Sequence, residues 1–168
     1  MPAKKFIRQI GGLLTEALGI QTSAGAANAG DIPALDESGR IDASMMPVGI
    51  GADTSAITSS EALSAGDFVN IWDSAGAKVR KADASTSGKE AHGFVLSAVA
   101  SGGVATVYFE GTNTQVTAQV PGPVFLSTTP GKGGNTPAAA PGNLVQSLGV
   151  ATGATSMNFE PAAPIKLA

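Results

Sequence analysis

His92 is the single histidine of the chain and follows Lys89 and Glu90, so a general base with charged neighbours is the first chemistry to weigh. A Ser-His-Asp set needs its nucleophile on a tight turn. No G-x-S-x-G elbow occurs, and His92 reads as a surface residue ahead of a strand. The run Asp36-Glu37-Ser38-Gly39-Arg40-Ile41-Asp42 has the acidic character of a calcium loop. It misplaces its parts: Gly39 falls at the fourth position of such a loop and not the sixth, Arg40 occupies the fifth, a ligand position, and Pro47 takes the place of the bidentate Glu at the twelfth. A β-turn closed by Asp and Ser side chains on their own backbone, with Gly39 at positive φ, fits better. Gly131-Lys132-Gly133-Gly134-Asn135-Thr136 faintly resembles a phosphate loop but misses the GxxxxGK[ST] spacing, and no helix follows it. Asp73, Asp83, Glu90, Glu110 and Glu160 are scattered one per turn or strand end, which offers no carboxylate pair for hydrolysis. Trp72, Tyr108 and the phenylalanines sit among apolar residues at strand spacing, as core aromatics do rather than a sugar platform. The residues therefore point away from an enzyme, and no cofactor or metal is expected.

Composition sharpens that reading. The chain of 168 residues has no Cys, 22 Gly, 10 Pro and a net charge of -3, so disulfides, thiolate metal sites and a basic phosphate-binding surface are excluded. Neither nucleic acid nor a membrane is an expected partner, since no apolar run approaches the roughly 18 residues of a membrane span. From Ala91 to Ile165 the only Asp, Glu, Lys or Arg residues are Glu110, Lys132 and Glu160. A surface so poor in charge resembles the core of an interface more than a wetted face.

These residues must be positioned by few regular elements. Phe6, Ile7, Ile10, Leu13, Leu14, Ala17 and Leu18 recur near a period of 3.6 and predict a helix over Lys4 to Leu18, with Gly11 and Gly12 weakening it and Gly19 ending it. From Gln21 onward the periodicity is lost, and residues 1–60 are expected to form that helix and an extended arm. Asp67 to Trp72 with Ala77 to Ala82, and Gly93 to Ala100 with Val104 to Phe109, read as hairpins. Gln115 to Val120, Pro123 to Ser127, Asn143 to Ala151 and Thr155 to Phe159 complete about eight strands. The fold class is therefore mainly β: a small antiparallel β-barrel, β-tulip or sandwich over residues 61–168, preceded by the N-terminal helix and arm. Its expected core is Phe68, Ile71, Trp72, Phe94, Leu96, Val107, Phe109, Phe125, Leu148, Met157 and Phe159.

The segments GDIPALDESGRIDASMMP, SSEALSAGDFVNIW, KVRKADASTSGKEAHGFVLSAVASGGVATVYFEG and GVATGATSMNFEPAAPI resemble the small head-decoration, or capsid-cement, proteins of contractile-tailed bacteriophages, those of Pseudomonas myophages above all. The likeness spans most of Gly30 to Ile165. IPALDxxGRID also occurs in phage tail fibres, which keeps a tail-fibre or baseplate component as the alternative. The N-terminal segment has no counterpart in the pattern. The resemblance implies a β-barrel or β-tulip with an arm laid over the capsid exterior, the major capsid protein as partner, self-association as a homotrimer, and stabilisation of the expanded shell at inter-capsomer junctions. It implies a virion protein made in the bacterial host cytoplasm. On the residue side, Ile32, Leu35, Ile41, Met45, Met46 and Ile50 are spaced along the arm so that each can fill a small pocket on a partner, and they are the expected capsid-binding residues.

Overall fold

The computed structural model describes residues 5–46 and 52–168. The chain divides into two units, Met1–Gly51 and Ala52–Ala168.

In the first unit the expected helix is absent. Strand β1 (Lys5–Ile10) pairs antiparallel with β2 (Leu13–Leu18), with Ile10 opposite Leu13 and Lys5 opposite Leu18. The reason lies in Gly11 and Gly12. In a helix each costs about 1 kcal/mol relative to Ala. Here both take positive φ, 58° and 86°, the conformation a two-residue hairpin turn requires and only Gly adopts freely. The apolar spacing that mimics a helix instead distributes large side chains over both faces of a two-stranded ribbon.

The segment after it is not simply extended. It folds back through a parallel bridge between Ile20 and Pro33, a 3-10 turn at Gly25–Asn28 and another at Ala43–Met45. Its order comes from hydrogen bonds rather than burial: Gly19 alone is buried among the described residues of this unit.

The second unit is all β. Strand β3 (Thr54–Ser59) pairs parallel with β5 (Ala77–Lys81) and antiparallel with β7 (Val104–Tyr108), while β4 (Phe68–Asp73) lies between β5 and β6 (Gly93–Phe94), and β6 meets β7 at Phe94 and Tyr108. The circuit β3-β5-β4-β6-β7 therefore closes into a ring. Beside it, β8 (Gly111–Asn113), β9 (Gly122–Leu126), β10 (Gly133–Gly134), β12 (Ser147–Gly153) and β13 (Ser156–Phe159) form an antiparallel sheet in the order β10-β9-β12-β13-β8. Two short strands, β11 (Leu144–Val145) and β14 (Ile165–Lys166), pair separately.

Alternation along the strands divides the core in two. Val69, Val79, Ala105 and Val107, with Leu63 and Val95, form the smaller cluster, where the narrow interior of a five-strand ring takes Val and Ala. Phe68, Phe94, Leu126, Leu148, Met157 and Phe159 form the larger one with Val124 and several alanines. Phe159 stacks on Phe68 at 5.7 Å and meets Phe94 edge-on at 5.4 Å, tying the ring to the sheet through aromatic contacts. Of the expected core, Phe68, Phe94, Val107, Leu148, Met157 and Phe159 are buried, whereas Ile71, Trp72, Leu96, Phe109 and Phe125 are half-buried.

Three expectations for this unit change. Strand β3 lies within residues assigned to the arm, so the body of the β unit begins at Ala52, not Glu61. Gln115 to Val120 is not a strand despite its alternation, because Ala118 takes a φ of 54° and the neighbouring amides of Gln115 and Val120 are held by Asn113 Oδ1 and Asn135 Oδ1. Only the first two residues of the predicted Gly93 to Ala100 strand pair with a neighbour as a strand.

Candidate functional site

Apolar side chains without a core need a partner, and this singles out the residues of the arm. Ile32, Leu35, Ile41 and Met46 are exposed, at 49%, 55%, 51% and 41%, and Met45 is half-buried in its 3-10 turn. Ile50 lies outside the described residues. Polar bonds set the positions of the others. Ile20 donates its amide to Ile32 O at 3.0 Å and accepts from Ala34 N at 2.7 Å, which fixes Ile32. Leu35 O accepts from Gln21 Nε2 at 2.8 Å. Asp36 Oδ1 accepts from Ser38 N, Ser38 Oγ and Arg40 N at 2.7 to 2.9 Å, and Gly39 at a φ of 76° completes the turn that presents Ile41. Asp42 Oδ1 caps the turn Ala43–Met45 by accepting from Ser44 N, and Ser44 Oγ accepts from Ser23 N at 2.8 Å. Hydrogen bonds from Ser38 hold the Asp36 carboxyl below its usual range, and those from Ser44 do the same for Asp42. The arrangement is a polar scaffold that points separate apolar side chains outward.

The residues weighed for chemistry are engaged in structure. His92 Nδ1 accepts the amide hydrogen of Ile71 at 2.9 Å, and His92 N donates to Val69 O, so the residue extends the ladder along β4 by backbone and side chain alike. Its Nε2 lies 3.7 Å from Glu90. In the glycine-rich loop, the amides of Gly131 and Lys132 donate to Ala82 O and Thr129 O, so they form no anion cradle. The Lys132 ammonium lies 2.5 Å from Asp67 Oδ1. Asp83 accepts from Ser85 and Asp73 from Gly76 N, each closing its own turn. No group of three His, Cys, Asp or Glu residues able to hold a metal occurs among the described residues, and no helix among them is long and apolar enough to cross a membrane.

Several buried polar residues escaped sequence reading. Asp67 is 1% exposed, yet Lys132, Lys81 at 3.9 Å and the amide of Ser64 surround its carboxylate. Gln146 clamps the backbone across 55 residues: its Oε1 accepts from Ala91 N while Nε2 donates to Ala91 O and Ala162 O. Asn70 accepts from Arg80 Nε and donates to Glu90 O, and Arg80 in turn lies over the Trp72 ring at 4.7 Å. Two surface clefts of about 250 and 220 Å³, one lined by Phe68, Gln119 and Lys132 and the other by Leu96, Val99 and Tyr108, are smaller than most ligand pockets, and neither gathers a nucleophile with a base. Five further exposed apolar residues, Ile7, Ile10, Leu13, Leu14 and Leu18, lie on the hairpin, where the helical reading hid them.

Comparison with protein-family models, curated proteins and solved structures returns no match.

Proposed function

We propose that this chain is a non-enzymatic structural protein of a phage virion, bound to the capsid exterior where capsomers meet and stabilising the expanded shell. The single observation that carries the reading is the arm: a polar scaffold that has no core among its described residues and presents Ile32, Leu35, Ile41 and Met46 to the outside. Such side chains gain free energy only when a partner covers them, at about 25 cal/mol per Å² of apolar area. The resemblance of the segments from Gly30 to Ile165 to capsid-cement proteins supplies the partner, the major capsid protein. We read the closed ring of strands with its neighbouring sheet as the β-barrel or β-tulip core of such a protein.

Mechanically, each copy adds interface across a junction, and anything that binds the assembled shell but not separated subunits stabilises assembly by mass action. An interface of about 1,600 Å² is the standard class for a specific complex. Many symmetry-repeated copies add their effects. The test is location: electron microscopy of purified virions with an antibody against this protein is expected to place label over the head. Label confined to the tail overturns the proposal in favour of a fibre or baseplate component.

A further inference from the structure

We propose that the hairpin β1 and β2 is a self-assembly element, through which copies of this chain join by adding strand to strand and burying their apolar side chains on one another. The proposal needs no capsid and stands or falls apart from that reading. Pairing fixes the two faces of the hairpin. One carries Lys5, Ile7, Gln9, Leu14, Glu16 and Leu18, and the other Phe6, Arg8, Ile10, Leu13, Thr15 and Ala17.

Large apolar residues are exposed on both. Ile7, Leu14 and Leu18 are 72%, 79% and 58% exposed on the first, and Leu13 and Ile10 are 72% and 48% exposed on the second. The strands pair with each other and with no other strand among the described residues, which leaves both outer edges open. Two of the devices that blunt an edge are missing, since the pairing runs in regular register without a bulge and the sequence from Lys5 to Leu18 contains no Pro; Lys5, Arg8 and Glu16 are the charges that remain.

Three features select a second copy as the occupant. A flat partner surface covers one face of a hairpin and leaves the other wet, whereas copies added edge to edge and face to face cover both. The charges of the hairpin are already answered within the chain: Lys5 Nζ lies 2.6 Å from Glu16 and Arg8 lies 3.7 Å from Asp31, so copies approach without like-charge repulsion and a charged partner finds little to hold. The area is of the right order when copies cover both faces, because these five side chains alone expose on the order of 500 Å² per copy, more than half of the ~800 Å² per partner of a standard interface.

The chain has no cysteine, which makes a clean test available. Single substitutions Thr15→Cys on the hairpin and Ser87→Cys on an exposed loop of the β unit are made in the full chain and oxidised at micromolar concentration. Thr15→Cys is expected to give disulfide-linked dimers in good yield and Ser87→Cys only traces, while the unsubstituted chain sediments as an oligomer. Leu13→Ser with Leu14→Ser is expected to return the sedimentation to monomer without changing the Trp72 fluorescence transition of the β unit. A monomeric unsubstituted chain, or equal cross-linking at the two positions, overturns the proposal.

Discussion

Asp36 and Asp42 are the residues whose ionisation the arm depends on. Each carboxylate accepts hydrogen bonds that its protonated form accepts less well, which is why both lie below the ordinary value of 3.8. A carboxylate with a folded pKa below its unfolded one stabilises its turn fully above the unfolded value, and that contribution is lost as pH falls through the folded one. The two turns are therefore expected to be intact above pH 4 and to loosen below it. Carbon-detected NMR titration should place both midpoints below 3.8, with Ser38→Ala moving Asp36 back toward that value and leaving Asp42 in place. In the β unit, Gln146→Leu removes a side chain that satisfies three backbone groups and leaves them without that partner, a loss of about 3 kcal/mol in urea unfolding. An unchanged midpoint would show the clamp to be dispensable. The Asp36 turn was legible because its partners are two and four residues away in the sequence. Gln146, Asp67 and Asn70 were not, since a buried polar side chain that bonds distant groups leaves no periodic or local signature.

At the level of elements, the same apolar residues can be read as a helix or as a ribbon. Phe6, Ile7, Ile10, Leu13 and Leu14 fit a 3.6 period, but two adjacent glycines at positive φ decide for the turn. Strand β3 was illegible for the opposite reason: Thr54–Ser59 contains a single large apolar residue, Ile57, and its place is set by β7 and β5. Its removal opens the ring. A chain beginning at Ala52 is expected to unfold cooperatively in urea, whereas one beginning at Glu61 should show a broadened transition or none. Equal cooperativity of the two would mean that β3 is not integral to the unit. The hairpin of β12 and β13 has a tighter constraint, because a Cβ at Gly149 would lie 2.1 Å from Asn158 O while φ is 120°. Gly149→Ala should cost about 3 kcal/mol or more by thermal or urea unfolding, a loss of the kind that backbone strain produces. The strands of the β unit were read best where short turns with Asp, Ser and Gly separate them, as between β4 and β5, and worst at Gln115 to Val120, where side-chain bonds to the backbone displaced a ladder.

At the scale of the whole molecule, the β unit is built on its two clusters, whereas the described residues of the N-terminal unit have no core and expose apolar side chains. Sequence reading reached the mainly β class because that class follows from residue types, turns and spacing. It could not reach how the arm folds on itself, since those bonds join separated polar groups such as Ser23 with Ser44. On the proposed function, the exposed apolar residues of the arm hold the protein on a shell, and that attachment can be measured directly. It is tested by adding the full chain, and the same chain carrying Ile32→Ser, Leu35→Ser, Ile41→Ser and Met46→Ser, to undecorated expanded capsids and measuring the protein that co-sediments. Saturable retention of the unsubstituted chain is expected, with a loss of at least tenfold in affinity for the variant, equivalent to about 1.4 kcal/mol. Equal retention of the two, or retention of neither, contradicts it.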